Sequence, residues 1–279
     1  MRNFMKRLKA AALAICIGAL FNAAQAQDVT QQLTSASVIE KIKQRGSLVV
    51  GLATFVPWAM LDKNGQLIGF EIDVARQLAK DMGVEVEFQP TAWDGIIPAL
   101  IAGKFDVIIS GMSVTTQRNL TVNFTDPYAY SGLRVILAAG AAAGVSSLDD
   151  LNRPEVTLAL RRGATPVTWA QAHLPNAKIL QFDEEPATLQ EVLNGNATGT
   201  IASEPSPSWW MTQYPDKLAM PVDDLLDASA EAFALRKGDP DALNFFNNWI
   251  AARWRDGFLQ DRHDYWFRSR AWADQVAAQ

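Results

Sequence analysis

The chain has 279 residues, of which 49% are hydrophobic, and it contains a single cysteine, Cys16. Its 25 lysines and arginines against 30 aspartates and glutamates give a formal charge of −5, which argues against nucleic acid or an anionic membrane surface as a partner. One cysteine excludes a disulfide framework, and the two histidines lack acidic neighbours at metal-ligand spacing, so we expect no metal and no cofactor.

The first 26 residues are predicted to be a secretory signal peptide. Four basic residues precede an apolar run at residues 10–21, and Ala24 and Ala26 form a small-x-small cleavage signature. The run is shorter than the roughly 20 residues that a membrane span needs. Cleavage near Ala26 would remove Cys16 and four positive charges, leaving a cysteine-free chain with a formal charge of −9. We therefore expect export to the periplasm.

Strand and helix patterns alternate in the first half of the mature chain. Short apolar segments predict buried strands, and apolar residues three or four positions apart predict helices that end at Gly83 and Gly103. An Asn-Gly pair at residues 64–65 predicts a hairpin turn. The predicted order is strand 47–51, helix 73–82, strand 84–88, helix 93–102 and strand 106–110. This order favours a mostly parallel sheet with helices on its faces.

The same alternation restarts after an alanine- and glycine-rich patch at residues 138–144. Asp239 and Pro240 then begin a long helix, rich in phenylalanine and tryptophan, that Gly257 ends. Two βαβ modules and a helical tail predict two α/β lobes, whose crevice is a natural ligand site. The elements of the second module are strand 156–160, helix 165–172, strand 178–182, helix 186–193 and strand 198–202.

Five features of the sequence follow one another in a fixed order. They are GFEIDVA at residues 69–75, WDGIIPAL at 93–100, GKFDVIISGMS at 103–113, Arg118, and FTDPY at 124–128. Together they resemble the polar-amino-acid family of periplasmic solute-binding proteins, the receptors of ABC importers. The likeness covers nearly all of the mature chain, and several ordered blocks are more specific than one short motif.

The resemblance implies the two-lobed periplasmic-binding-protein fold, an α/β fold in which each lobe is a mostly parallel sheet flanked by helices. Two hinge crossings join the lobes. The chain would leave the first lobe near Tyr130 and return near Glu231, and residues 233–239 resemble the family's return strand. Lobe 1 would then comprise residues 27–130 and 231–279, and lobe 2 would comprise residues 131–230.

In the first lobe the resemblance implies a carboxylate site around Arg118. A planar guanidinium group pairs with a carboxylate through two parallel hydrogen bonds. Ser110, Gly111 and Ser113 follow a predicted buried strand, and they offer backbone N–H and hydroxyl groups. In the family, groups at these positions help bind the same carboxylate and the amine. A surface arginine is the alternative for Arg118.

Two aromatic residues of the first lobe match family positions that face the ligand. Phe55 matches an aromatic residue that stacks on the ligand's side chain or amine, and Trp93 matches an apolar wall. An aromatic face attracts a cation and also supplies apolar area. Ordinary core packing is the alternative for both side chains.

In the second lobe, RGAT at residues 162–165 resembles the family's Gly-Thr-Thr turn at the start of a helix. Exposed backbone N–H groups around Ala164, with the Thr165 hydroxyl, would complete the cradle for the carboxylate. A plain helix cap is compatible with the same residues. Arg161 and Arg162 are unusual in this place, and one of them is a candidate to face the cleft.

The chain departs from the family where the last strand of the second lobe usually ends with an aspartate that binds the ligand's α-amine. By spacing, Ser203 occupies that position here and Glu204 follows it. Either Glu204 reaches the amine, in which case it needs a partner once buried, or the ligand lacks a standard ammonium group there. A solvated Glu204 is the third alternative, so the ligand's identity and its α-amine stay open.

These features predict the substrate-binding component of an ABC transporter. It would be a monomer that captures an amino acid or a related small carboxylate by lobe closure and delivers it to a permease of the inner membrane. No catalytic residue is expected. One alternative is a cyclohexadienyl (prephenate or arogenate) dehydratase, with Glu204 as the suspected acid, although the acid of that enzyme type lies where Ser206 stands. A ligand sensor that docks on a signalling protein is the other alternative.

Overall fold

The computed structural model describes residues 37–276, so the predicted signal peptide, its cleavage site and Cys16 lie outside the described residues. The strands are β1 (Ser47–Leu52), β2 (Met60–Leu61), β3 (Leu67–Ile68), β4 (Glu85–Pro90), β5 (Val107–Ile108), β6 (Asn123–Ala138), β7 (Thr157–Arg161), β8 (Lys178–Phe182), β9 (Gly199–Ser203), β10 (Leu218–Ala219) and β11 (Asp227–Leu235). The helices are α1 (Val38–Arg45), α2 (Phe70–Met82), α3 (Ile96–Ile101), α4 (Thr116–Asn119), α5 (Thr165–His173), α6 (Glu185–Leu193), α7 (Ser206–Gln213), α8 (Pro240–Arg255) and α9 (Phe258–His263). None of the described helices combines the length and the apolarity that crossing a bilayer requires.

Local sequence signals place most element ends correctly. Gly83 ends α2 with a left-handed φ of 69°, and Gly65 has a φ of 76° in the turn between the paired strands β2 and β3. The carboxylate of Asp239 accepts the backbone N–H of Ala242 at 3.0 Å and so caps α8, as the sequence predicts. Capping and glycine signals therefore act locally, and most of the predicted elements from β1 to α6 are confirmed to within a few residues.

Three predicted elements differ from the structure. The strand predicted at 106–110 is only the two residues of β5, because the chain turns away at Gly111, whose φ is 51°. The helix predicted at 93–102 begins with a separate 3₁₀ turn, Trp93–Gly95, before α3. The return strand predicted at 233–239 ends at Leu235, and its longer part lies before Phe233 in β11.

One continuous sheet connects the two modules, in the order β4-β1-β5-β11-β6-β9-β7-β8, with β10 on β6. We call β1 to β5 with their helices the first module, and β7 to β9 with theirs the second. Within each module, neighbouring strands of this sheet are parallel, whereas β6 and β11 run antiparallel through the middle. The strands β2 and β3 form a separate antiparallel pair. The unpredicted strand β6 pairs with β11 at one end and with β9 at the other, so it belongs to both modules.

The C-terminal helices pack on the first module through tryptophan side chains. The indole N–H groups of Trp249 and Trp266 donate to Asp81 and Asp73 of α2, each at 2.8 Å. Trp209 of α7 packs against the fully buried Trp272 at a centroid distance of 4.6 Å. The C-terminal helices therefore pack on the outer face of the first module and contact the second module at α7. Trp209 is a packing residue.

Candidate functional site

A narrow cleft lies between the two modules, and side chains fill most of it, leaving a free volume of about 10 Å³. Six of the residues that the sequence predicts for the site line it, namely Trp93, Gly111, Ser113, Ala164, Thr165 and Ser203. The other lining residues are Arg161, Pro166, Glu185, Thr188 and Ile201. A wider depression of about 400 Å³ between α2 and α9 has no buried residue in its lining.

The modules are closed over this cleft. The indole N–H of Trp93 and the Arg118 guanidinium both donate to the backbone carbonyl of Gly163 at 3.2 Å. Near one end of the cleft, the Trp58 indole N–H donates to the backbone carbonyl of Glu204 at 3.3 Å. These hydrogen bonds join side chains of the first module to backbone groups of the second, so the structure represents a closed state.

Arg118 lies on the short helix α4, whose N-cap Thr115 accepts the Arg118 backbone N–H at 3.1 Å. Its guanidinium donates to the carbonyl of Ser113 at 2.9 Å and to that of Gly163, which leaves most of its five N–H donors for other acceptors. Burial, helped by the charge of Arg161, lowers the pKa of Arg118 to about 10. Arg118 is therefore cationic at neutral pH and is held in place by backbone carbonyls.

The end of β5 is fixed by a buried polar group. The Ser110 hydroxyl accepts the backbone N–H of Ala53 at 2.8 Å, and the N–H of Gly111 points to Glu71 and to the Tyr128 hydroxyl at 3.0 Å. Burial raises the pKa of Glu71 to about 8, against the opposing effect of hydrogen bonds from Tyr128 and Gly111. Ser110 and the Gly111 N–H thus position the cleft wall from behind, and Gly111 itself lines the cleft.

Arg161, at the end of β7, fills the space between the predicted aromatic walls. Its guanidinium lies 4.7 Å from the ring centroid of Phe55 and 4.3 Å from that of Trp93, within the range of cation–π contacts. The side chain is buried, and its Nη2 lies 3.8 Å from a carboxylate oxygen of Glu185. Of the two candidate arginines, Arg161 therefore faces the cleft, whereas the exposed Arg162 pairs with Asp183 at 3.0 Å.

The second module supplies small and hydroxyl-bearing groups. Ala164 and Thr165 stand at the start of α5, and Ser203 ends β9 at the cleft. Glu204 is not among the lining residues, because its carboxylate pairs with the Arg134 guanidinium at 2.6 Å and accepts the Ser208 hydroxyl at 2.8 Å. Ser203, rather than Glu204, therefore faces the space in which a ligand would lie.

Glu185 is the cleft residue that sequence reasoning missed. It stands in the first turn of α6, where an acidic residue ordinarily faces solvent and stabilises the helix dipole. Here the side chain is buried, and burial raises the pKa of Glu185, opposed chiefly by the charge of Arg161. The unusual Arg161 was the only sequence signal that could have pointed to a buried acidic partner.

Metal binding has no support in the described part of the chain, residues 37–276, since no three histidine, cysteine or acidic side chains cluster there. Both histidines pack on aromatic rings. His173 stacks on Trp169 at 4.4 Å between centroids, and His263 lies 4.7 Å from Phe267. The chemistry of the site therefore depends on arginine, carboxyl, hydroxyl and aromatic groups.

Comparison with known proteins gives the family. The sequence profile of the bacterial extracellular solute-binding proteins, family 3, matches residues 48–269. This chain belongs to that family. The L-cystine-binding protein TcyJ of Escherichia coli strain K12 is 30% identical over 231 residues, which cover 82% of this chain and 86% of the relative. The cyclohexadienyl dehydratase of Pseudomonas aeruginosa is 24% identical over 235 residues, covering 84% of this chain and 87% of the enzyme.

Solved structures confirm the two-lobed α/β fold. A protein described as a binding component of an ABC transporter from Wolinella succinogenes, complexed with lysine, is 40% identical with a TM-score of 0.78. The ancestral amino acid-binding protein AncCDT-1, a precursor of cyclohexadienyl dehydratase, is 39% identical with a TM-score of 0.76. Each match covers 83% of this chain and the whole of the other chain. The family resemblance that the sequence carries is therefore confirmed.

Proposed function

We propose that this chain is the substrate-binding component of an ABC transporter and captures an amino acid or a related small carboxylate in the periplasm. The observation that carries the proposal is Arg118, a cationic fork held by the carbonyls of Ser113 and Gly163 beside the closed cleft. Its unused N–H donors match the geometry of a carboxylate. Two relatives are named as an L-cystine-binding protein and as an ABC transporter arginine-binding protein.

The capture mechanism follows from how the ligand-binding groups are divided between the two modules. A ligand carboxylate first docks on Arg118 of the first module. Closure then brings Ala164 and Thr165 over the ligand, and the Gly163 carbonyl meets Arg118 and Trp93 as it does in the closed state. Removing water from the cleft strengthens each charge pair, so the closed state is favoured when ligand is present. No covalent step is needed.

The lobes that move are proposed to comprise residues 27–130 and 231–279 for lobe 1, and residues 131–230 for lobe 2. The register between the two central strands supports these bounds. Tyr130 of β6 pairs with Ala230 of β11, and the ladder shifts register just after Glu231. An irregularity in the hydrogen-bonding pattern between two strands that both lobes share is a suitable place for one lobe to rotate relative to the other.

The proposed partners are the ligand and a permease of the inner membrane, with the protein acting as a monomer after removal of the signal peptide. Transport and sensing would use the same cleft, so a partner assay must separate them. Purified permease complex in vesicles should hydrolyse ATP faster when ligand-loaded protein is added. A protein that serves only as a sensor would leave the ATPase rate unchanged.

A dehydratase is the second candidate, because one relative is the cyclohexadienyl dehydratase of Pseudomonas aeruginosa and because Glu185 is a buried acid at the cleft. We infer binding rather than catalysis. Glu204, the acid that the sequence offered for this chemistry, is ion-paired with Arg134, and Ser206 donates its hydroxyl to the backbone carbonyl of Val56. Incubation with prephenate, followed by assay for phenylpyruvate, tests this inference directly, since product formation would overturn it.

The experiment that tests the proposed function is a thermal-melt screen of protein from residue 27 onward, freed of bound ligand by unfolding and refolding. The panel holds neutral, cationic and acidic amino acids, dicarboxylates, betaines and prephenate. A true ligand at about 100 times its Kd adds about 2.7 kcal/mol and raises the Tm by about 5–10 °C. Absence of any shift across the carboxylates would contradict the proposal.

A further inference from the structure

Arg161 occupies the place in the cleft where an aromatic sandwich would otherwise receive a cation. Phe55 and Trp93 present their faces to its guanidinium at 4.7 Å and 4.3 Å. Aromatic faces attract cations through the negative charge over the ring. The protein's own cation therefore satisfies both faces, and a cationic ligand group would have to displace Arg161 or lie beside it.

Arg161 is anchored from behind by its own module. The residue ends β7, and its Nη2 lies 3.8 Å from the carboxylate of Glu185 at the start of α6. Both side chains are buried, with exposed fractions of 7% and 4%. Since the pair lies within one module, opening of the cleft would leave it intact, and the cation would already be in place before ligand arrives.

Two N–H donor positions of this guanidinium are unused. Among residues 37–276, the Nε and Nη1 atoms of Arg161 are buried and meet no acceptor. Leaving a buried charged donor without a partner is costly, so a partner is expected from a molecule that enters the cleft. Nε and Nη1 lie on different edges of the guanidinium, because Nη2, which faces Glu185, belongs to both bidentate edges. Each of the two can therefore donate a single hydrogen bond to an acidic group that enters the cleft.

Arg161 and Arg118 both lie over the ring of Trp93. Their guanidinium carbons are 4.3 Å and 5.4 Å from its centroid, and the charge of Arg161 lowers the pKa of Arg118. With Glu185 ionised, the three side chains carry one net positive charge; with Glu185 protonated, they carry two. An acidic amino acid, with a net charge of −1, balances the first state, and a dicarboxylate without an amine balances the second.

We propose that Arg161 binds a second acidic group of the ligand, so that the cleft selects small dicarboxylates, acidic amino acids included. This inference rests on the proposed function, because it assigns a substrate class to the same cleft. Arg118 holds one carboxylate and Arg161 holds the other. Such a ligand differs in charge from the lysine that is bound in the structure of the Wolinella succinogenes relative.

The first test is a calorimetric titration of ligand-free wild-type protein. The probes are L-glutamate and L-aspartate, which carry an amine, succinate and 2-oxoglutarate, which lack one, and L-lysine, L-arginine and L-glutamine. We expect at least one diacid to bind about 100-fold more tightly than every cationic or neutral amino acid. The ratio of glutamate to 2-oxoglutarate affinity then reports whether the cleft also recognises the amine.

Matched variants test the role of the side chain. Arg161→Met removes the buried cation, and the double variant Arg161→Met/Glu185→Gln also removes the acid that would be left unpaired. Arg162→Met, at the exposed neighbouring position, makes the same change of charge as Arg161→Met alone and is the control. We expect diacid affinity to fall about 100-fold in the double variant and to change less than about threefold in the control.

The possible outcomes separate this inference from the proposed function. Tighter binding of lysine, arginine or glutamine than of any diacid overturns the role of Arg161 and leaves the receptor intact. Equal diacid affinity in the wild type and the double variant, with circular dichroism showing both folded, also overturns it. No binding of any probe overturns both proposals. Diacid binding that is lost in the double variant and kept in Arg162→Met supports both.

Discussion

Gly111 shows how one missing side chain shapes the cleft. Its φ of 51° is left-handed, and a Cβ built on it would lie 2.7 Å from Cζ of the Phe55 ring. The ring of Phe55 in turn covers Arg161. The absence of a Cβ at this position therefore permits both the turn after β5 and the close approach of the aromatic wall.

The substitution Gly111→Ala should displace Phe55 and weaken ligand binding at least about tenfold, since an error of about 1 Å in a binding residue is severe. The matched control is Gly103→Ala, at a φ of 73°, where an added Cβ meets nothing within 4 Å. Both variants carry a left-handed alanine, which costs about 1–2 kcal/mol. Titration calorimetry with the identified ligand checks this prediction, and equal loss of affinity in the two variants would contradict it.

Glu71 makes stability depend on pH. Its pKa is raised to about 8 by burial, against an ordinary value of 4.5, so between these pH values the native protein keeps a proton that the unfolded chain has lost. This contribution to stability is present below about pH 4.5 and declines as the pH rises towards 8, by up to about 1.4 kcal/mol per pH unit. In Glu71→Gln the loss of stability with rising pH should be smaller.

Urea unfolding of the wild type and of Glu71→Gln, at about pH 5 and about pH 8, measures this difference. The other buried acids, Glu185 and Glu231, are present in both proteins. The charge of Glu231 helps to raise the pKa of Glu71, so this interaction is part of the measured difference. The same change in the free energy of unfolding over this range in both proteins would show that Glu71 does not keep its proton.

Sequence could predict part of the site at this scale. Arg118, Ser113 and Thr165 follow from the family resemblance, because they lie in or next to its motifs. The sequence could not show which of Arg161 and Arg162 faces the cleft. A strand that is buried on both faces has no alternation of polar and apolar residues from which the side-chain directions could be predicted. Glu185 could not be predicted as a cleft residue, because its burial depends on the position of Arg161 in the folded protein.

At the scale of single elements, one carboxylate joins two helices. Asp239 caps α8 by accepting the N–H of Ala242 at 3.0 Å, and its other oxygen accepts the N–H of Val38 at the start of α1 at 2.6 Å. The first N–H groups of a helix have no partner within the helix. Asp239 therefore satisfies both helices and ties the tail to the first described helix.

Asp239→Ala should lower the free energy of unfolding by about 2 kcal/mol, because each lost cap costs about 1 kcal/mol. Asp241→Ala, an exposed acidic residue in the first turn of α8, is the control and should cost less than half as much. Urea denaturation at neutral pH provides both values. Equal destabilisation by the two substitutions would mean that Asp239 acts only through its charge near the helix end.

The elements that sequence predicted keep one burial pattern along their length. Helix α2 follows from apolar residues at helical spacing, and strand β7 follows from a compact buried segment. Strand β6 was missed because its sixteen residues change partners, from β11 to β9, and because Pro127 interrupts its pattern. Its identity as a strand depends on tertiary pairing rather than on local sequence.

At the scale of the whole molecule, the account requires that the two modules open and close. In the closed state, a Cβ at Gly163 would lie 3.5 Å from the Cβ of Asp94 in the other module. This separation falls within the range that a disulfide spans. Because Cys16 is the only native cysteine and lies in the predicted signal peptide, a cysteine pair can be introduced without competing thiols.

The double variant Asp94→Cys/Gly163→Cys should form an intramolecular disulfide faster when ligand is present, since ligand favours the closed state. Ligand added before oxidation should then be retained, and ligand added afterwards should be excluded. Each single variant is a control for nonspecific oxidation. Mass spectrometry of timed samples measures the rate, and equal rates with and without ligand would contradict closure around the ligand.

The central claim is that Arg118 binds the carboxylate of a captured solute. Its most direct test is calorimetric titration of the ligand found in the thermal-melt screen into wild type, Arg118→Ala and Arg76→Ala, the last an exposed arginine of α2. We predict a loss of affinity of at least about 100-fold for Arg118→Ala, with a native circular dichroism spectrum, and no change for Arg76→Ala. If Arg118→Ala bound the ligand as tightly as the wild type, the proposed site would be wrong.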